Sequence, residues 1–311
     1  MTAIVLIGIG AGVASALLFA SPISGTSLAF PLFVITGVPI AIAGLGWTPV
    51  AGAIAVVAGC VAVAVAISPI AAAIFLFLFA APMAWLTYLA GLSRPNGESQ
   101  EWFPLGRLLL HTSAAAVLGL TIIGIVIGYD PQQIAVDMTD ALSEWLAVNP
   151  DLQTVPTREE IEPFVRLNVA ALPYTLAAIV LVILVVNLWF AGWVTQTSGR
   201  LARPHERLWT VSLPASAALA FVLASLVSVL PFPLGDIAAL MSGALGGAFL
   251  LLGLAVIHAL TIGLNGRAAL LTVNYVVLGL LGFTAFVIIA VGLAETFLHL
   301  RARRFRGAPP P

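Results

Sequence analysis

The stretch Leu172–Val194 reads LPYTLAAIVLVILVVNLWFAGWV and contains no charged residue. A helix of that length rises about 35 Å at 1.5 Å per residue, which is enough to cross the roughly 30 Å hydrocarbon core of a bilayer. Comparable apolar stretches recur along the chain, and they lack the period-two alternation of transmembrane strands. The stretch therefore predicts a membrane-spanning helix, and its recurrence predicts several.

The composition extends this interpretation to the whole chain. Hydrophobic residues make up 61% of the sequence and charged residues only 8%, and the mean hydropathy is +1.13. Soluble domains carry about 25% charged residues, so this chain cannot cover itself with an ordinary water-facing surface. The net charge is −1, so the composition gives no indication of nucleic-acid binding, which requires an excess of basic residues. We therefore predict an all-α, polytopic transmembrane helical bundle, organised as a single membrane domain over residues 1–311, with the lipid bilayer as its main partner.

The apolar runs predict nine candidate membrane spans. They are Ala3–Ala20, Ser27–Leu45, Val50–Ile67, Ile70–Leu92, Leu108–Ile127, Leu172–Val194, Val211–Leu230, Ile237–Ile262 and Ala268–Leu298. The first run lacks the positive n-region of a signal peptide, so we expect it to be retained, with cleavage near Ala20 as the alternative. The last run is long for one helix, and a bent pair of short helices around Gly279–Gly282 would explain it. The prediction is eight to ten spans.

Arginine placement predicts the orientation, since all basic residues are Arg. The loops Ser93–Gly106 and Thr195–Leu208 carry Arg and are separated by two spans, so they share a side, which the positive-inside rule makes cytoplasmic. The basic, Pro-rich tail 301–311 should also be cytoplasmic, which requires an even number of passes after Arg207. A re-entrant segment at Ile237–Ile262 or its neighbour, or a failure of the rule, are the alternatives.

The outward segment 129–168 is predicted to be an extracytoplasmic amphipathic helical insert that rests on the membrane surface or caps the bundle. Asp130 precedes a proline, as at the start of a helix, and Thr157 with a glutamate three positions later forms a capping box. The acidic residues of one helical face are either a cation site or a solvated surface, and without an EF-hand loop the second is favoured. These residues are Asp137, Asp140 and Glu144.

Polar residues within or beside the spans are the candidate solute-binding positions, because such residues are costly in lipid. They are Ser24, Thr26, Ser27, Asn187, His258 and Asn274. The first three lie in a cluster of hydroxyls, glycines and prolines where two runs meet, and this cluster is either a broken helix of the transporter kind or a tight hairpin. For the other three the alternative is a hydrogen bond to a neighbouring helix or a backbone carbonyl.

Catalytic signatures are missing from the sequence. It contains no zinc-protease motif, no nucleotide-binding loop and no nucleophile elbow, its four histidines are scattered, and Cys60 is the only cysteine. We therefore expect no enzyme, no cofactor and no metal. Glu295 and His299 lie one helical turn apart, close enough to pair, and are expected to anchor the end of the last run together with the Arg cluster.

Several short stretches together resemble one family. They are Phe30-Pro31-Leu32, Pro39, Gly44–Trp47, Ala81–Trp85 and Gly292–Arg301. The pattern is similar to the DUF2232 (YybS-like) family of bacterial multi-pass membrane proteins, which is uncharacterised in activity and grouped distantly with the substrate-capture (S) subunits of energy-coupling-factor transporters. The resemblance implies a location in the inner membrane of a bacterium. It also implies a bundle that binds a vitamin or metal ion from outside and couples to membrane and ATPase partner subunits. Gly8, Gly12 and Ala16 would supply the coupling surface.

Two functional hypotheses follow. The first is a small-solute-binding, transporter-like subunit, which predicts a polar-lined cavity reached by the candidate residues. The second is a non-transporting scaffold or assembly factor, which predicts a solid bundle with Asn187 and Asn274 bonded to neighbouring helices. A membrane enzyme, the third option, would need two ionisable side chains in reach of each other, such as His258 with Asp236 or Glu295.

Overall fold

The computed structural model describes residues 1–97, 99–148, 156–204 and 211–305, and these are almost entirely helical. The helices are α1 Thr2–Phe19, α2 Ala29–Val34, α3 Val38–Gly46, α4 Pro49–Ala66, α5 Pro69–Phe75, α6 Ala81–Ala90, α7 Leu105–Ile127, α8 Pro131–Ala147, α9 Arg158–Thr197, α10 Ala215–Val227, α11 Leu234–Leu260, α12 Arg267–Leu280, α13 Thr284–Leu298 and α14 Leu300–Arg304. A short hairpin of β1 Ser93–Asn96 and β2 Ser99–Trp102, which the sequence did not predict, joins α6 to α7.

Seven helical segments are long and apolar enough to cross a membrane within the described ranges, which confirms the all-α membrane bundle. They are Thr2–Phe19, Ala29–Gly46, Pro49–Ala66, Pro69–Ala90, Leu105–Ile127, Arg158–Thr197 and Leu234–Leu260. The apolar helices α10, α12 and α13 are shorter. With 14 and 15 residues, α12 and α13 measure about 21 and 22 Å, less than the roughly 30 Å of a hydrocarbon core.

Prolines interrupt two of the spans. Pro39 has no N–H to donate to the carbonyl of Ile35, and that carbonyl instead accepts from the N–H of Val38, so the second span breaks at residues 35–37. A π-helical turn, Leu76–Ala80, separates α5 from α6 immediately before Pro82. Such turns accommodate a missing helical hydrogen bond.

The last apolar run is two helices, as the bent-pair prediction required. The chain breaks at residues 281–283, between α12 and α13. The guanidinium of Arg301 then donates to the carbonyl of Val211 over 2.7 Å, so the tail begins at the same end of the bundle as the loop after α9. This agrees with an even number of passes after that loop. Arg207 and the tail beyond residue 305 lie outside the described residues.

We call this the basic end. It carries the β1–β2 hairpin with Arg94, the loop after α9 with Arg200, and the start of the tail. The loops lie together, since a Cβ on Gly106 would meet the backbone of Ser212. Arg200 also stacks over the ring of Trp47 at the end of α3, 4.5 Å from its centroid.

Helix α9 is the central element, because it contacts α3, α6, α7, α8 and α11. One apolar cluster combines its buried face with α1 and with α3 to α7, and a second combines it with α7, α10, α11 and α13. Small residues bring the helices close: a Cβ on Gly243 would collide with the backbone of Tyr174. Gly8 and Gly12 pack in the same way against α4, and Ala16 is buried in the first cluster. These small residues of α1 therefore pack inside the molecule, and the prediction that they supply a coupling surface for a partner is wrong.

The acidic insert is a helical hairpin. Asp130 caps α8 by accepting from two backbone N–H groups, and Thr157 with Glu160 forms the capping box of α9, both as predicted. Helix α8 packs on the first turns of α9, around Ile161 and Val165. Helix α9 continues through its two prolines for 40 residues, or about 60 Å. The partner of α8 is therefore another helix, which it covers with its apolar face.

Candidate functional site

The hydroxyls between α1 and α2 bond locally. The Ser24 hydroxyl donates to the carbonyl of Ser21 over 2.7 Å and lies 3.1 Å from the hydroxyl of Thr26, while Ser27 is exposed nearby. Gly25 ends this turn in the left-handed region with φ 60°, a conformation that costs glycine little. These contacts describe a tight connection between two helices, the alternative to a ligand site.

Asn187 closes the break in the second span. Its side chain is 1% exposed, and its amide N–H₂ donates over 2.7 Å to the carbonyls of Val34 and Ile183. The hydroxyl of Ser15 on α1 donates to the carbonyl of Thr36 in the same break. Two neighbouring helices thus satisfy backbone groups that would otherwise stay unpaired in a low-dielectric interior. The amide oxygen of Asn187 has no donor partner, and it faces the backbone of Gly37.

His258 and Asn274 lie in a different place, where α11 and α12 meet at the basic end. The Nε2 atom of His258 is 2.8 Å from the hydroxyl of Tyr275. The amide nitrogen of Asn274 has no partner. The structure thus places the six predicted residues in three separate regions: Ser24 to Ser27 opposite the basic end, Asn187 between α9 and the second span, and His258 with Asn274 at the basic end.

Among the described residues, His258 pairs with neither Asp236 nor Glu295, the two examples given for an enzyme. His258 contacts Tyr275, whereas Asp236 lies in the first turn of α11 at the opposite end, next to Tyr129. Burial and the Asp236 carboxylate raise the pKa of Tyr129, which follows the end of α7, to about 12. Among the described residues, no group of His, Cys, Asp and Glu could hold a metal ion.

Glu295 binds Arg301, which confirms the anchor to the Arg cluster, whereas the predicted pairing with His299 is wrong. The Nε of Arg301 is 2.8 Å from the Glu295 carboxylate, and the two side chains are 13% and 7% exposed. His299 adopts φ 48° and ends α13, so the chain turns there and returns Arg301 to Glu295. We call Glu295, Arg301 and the Val211 carbonyl the tail clasp.

A chain of hydroxyls joins α9, α10 and α11. Tyr174 donates to the Ser228 hydroxyl, which donates to the carbonyl of Ser225, and the Ser225 hydroxyl is 2.7 Å from that of Ser242. Sequence reasoning missed this network, because single serines in apolar runs resemble ordinary small packing residues. Only the registry of three helices brings them together.

A cavity of about 360 Å³ lies at the basic end, away from the six predicted residues. Its walls are residues 104–107 at the start of α7 and residues 211–214 before α10, and Arg107 is the only charged side chain among them. The acidic face of α8 is partly occupied by its own chain: Asp140 pairs with Arg158, and Gln133 donates to Asp137 over 2.7 Å. This favours a solvated acidic surface over a cation site.

No family model, no curated protein and no solved structure matches the chain. Residues and geometry therefore carry the functional argument, and the resemblance to the DUF2232 family stays a prediction.

Proposed function

We propose that the chain is a non-catalytic, multi-pass membrane scaffold that joins partners on the two sides of a bacterial inner membrane. The observation that carries this proposal is the single helix α9. It runs unbroken for 40 residues from the acidic hairpin to the basic end, and it contacts helices of both apolar clusters. A continuous, laterally supported helix links two extramembrane surfaces rigidly.

The interior supports this proposal. Asn187 is the polar residue best placed to bind a solute deep in the bundle, but its amide nitrogen donates both of its hydrogen bonds to backbone carbonyls. Glycines close the contacts between α1 and α4 and between α9 and α11. Side chains in such positions stabilise helix packing and leave little capacity for a ligand.

The two ends offer docking surfaces of opposite charge. The α8–α9 hairpin exposes Asp137 and Glu144 on a helix held by its own apolar contacts. The basic end exposes Arg303 and Arg304 beside the loop after α9. With the basic end in the cytoplasm, as the positive-inside rule requires, the hairpin is extracytoplasmic.

Charge reversal on α8 tests the proposal. We expect the wild-type chain, extracted from native membranes in mild detergent, to elute as a complex with a partner in fixed stoichiometry. Asp137→Lys with Glu144→Lys should release the partner, whereas Glu159→Lys, on the same hairpin but on α9, should retain it. A wild-type chain that elutes alone, or equal loss with the control, would contradict the scaffold.

A solute-binding, transporter-like subunit of the S-component kind, working with membrane and ATPase partners, is the second candidate. The interruptions of the spans at residues 35–37 and 76–80 favour it, as does the unpartnered amide oxygen of Asn187 beside the first. This candidate predicts that a vitamin or metal ion raises the thermal stability of the purified protein, and that Asn187→Leu removes the effect. The scaffold predicts no such ligand.

A further inference from the structure

Four polar residues meet at the basic end where α11 turns into α12. They are His258, Arg267, Asn274 and Tyr275, and we call them the α11–α12 corner. His258 and Tyr275 are joined at 2.8 Å, and the guanidinium of Arg267 donates to the carbonyl of His258 over a long 3.4 Å. The corner is the only direct polar link between α11 and α12 among the described residues.

The corner has unused hydrogen-bond donors. Two of its buried side-chain atoms lack a partner, the Nε of Arg267 and the amide nitrogen of Asn274, and both can only donate. No carboxylate of the described ranges pairs with Arg267, in contrast to Arg94, Arg158, Arg166 and Arg301. A positive charge with unpaired donors at a membrane surface is stabilised by an anionic acceptor.

Helix α12 presents an apolar surface below this charge. None of its residues is buried, and Leu270, Val273 and Val276 are each about half exposed. Asn274 lies two turns from Arg267 on the same helical face, about 10 Å deeper. A ligand that fits must carry a negative group at the surface and an apolar body that extends below it.

We infer that the α11–α12 corner binds an anionic phospholipid. The phosphate meets the planar guanidinium of Arg267, which can offer two parallel N–H groups. The acyl chains extend below the phosphate and cover the exposed face of α12. His258 holds Tyr275 and so fixes the side of α12 that faces the lipid. This inference is independent of the scaffold and assigns a site at its cytoplasmic end.

Lipid retention by the full-length protein tests the site. The purified chain is exchanged into nanodiscs of equal parts phosphatidylglycerol and phosphatidylcholine, then extracted into detergent, and the retained lipid is counted by native mass spectrometry. We expect phosphatidylglycerol to be retained preferentially. Arg267→Gln should reduce this preference about tenfold, the size of one charge-assisted hydrogen bond, and Asn274→Leu should reduce it less.

The matched control is Arg304→Gln, which removes the same charge from an exposed position at the same end. It should change the preference less than about twofold, because an exposed charge acts through screened electrostatics alone. Arg267→Lys keeps the positive charge but lacks the planar guanidinium, so its preference for phosphatidylglycerol should lie between those of the wild type and Arg267→Gln. This variant tests the site if Arg267→Gln fails to fold. Equal retention of both lipids, or equal loss in Arg304→Gln, would overturn the inference. So would displacement of the lipid by millimolar inorganic phosphate, since the occupant would then be a soluble anion.

Discussion

The tail clasp gives the sharpest test of the packing. Arg301→Met removes the cation and leaves the Glu295 carboxylate, 7% exposed, without its ion partner. Breaking a buried ion pair in this way typically costs about 3–5 kcal/mol, mostly from the stranded charge. Arg301→Met should therefore lower the free energy of unfolding by about that amount. Tryptophan fluorescence during a titration from mild detergent into denaturing detergent measures the change.

The double variant Glu295→Leu with Arg301→Met separates charge from packing. Removing both partners leaves no buried charge, so most of the loss should be regained. Arg94→Met provides the control, because its pair with Glu101 has the same 2.8 Å length but side chains that are 76% and 42% exposed. It should cost less than about 1 kcal/mol. The reasoning fails if Arg301→Met costs no more than the control, or if the two single losses simply add.

Three further predictions concern the helix contacts and one exposed end. Asn187→Leu should cost about 1–2 kcal/mol, because it leaves the Val34 carbonyl unpaired, whereas Asn168→Leu, on the exposed part of α9, should change little in the same titration. Gly243→Ala should cost about 1–3 kcal/mol because the new Cβ meets the fixed backbone of Tyr174, and Gly10→Ala, with open space around it, should be neutral or stabilising. Tyr129 has a pKa raised to about 12, so its contribution to stability is complete below pH 10 and declines as the pH rises toward 12. Tyr129→Phe should flatten that part of the pH–stability curve, and an unchanged curve would refute the assignment.

Hydropathy predicted the helices well because lipid leaves the backbone few alternatives. Neighbouring residues in the sequence determine the long apolar helices, the caps at Asp130 and Thr157, and the bend near Gly282. The site was less predictable, because the role of each polar side chain depends on the helix opposite. Asn187 donates a hydrogen bond to a carbonyl 153 positions away. Glu295 pairs with Arg301, and not with His299, because the left-handed backbone of His299 turns the chain. Neither partner can be deduced from spacing along one helix.

The bond between Asn187 and Val34 also constrains how the chain is made. The second span leaves the ribosome long before α9. The Val34 carbonyl at its break therefore has no donor until Asn187 is synthesised, 153 residues later. Nascent chains that end before residue 187 should thus hold an unsatisfied peptide group in lipid, and they should be the fragments that insertion factors retain and quality-control proteases remove.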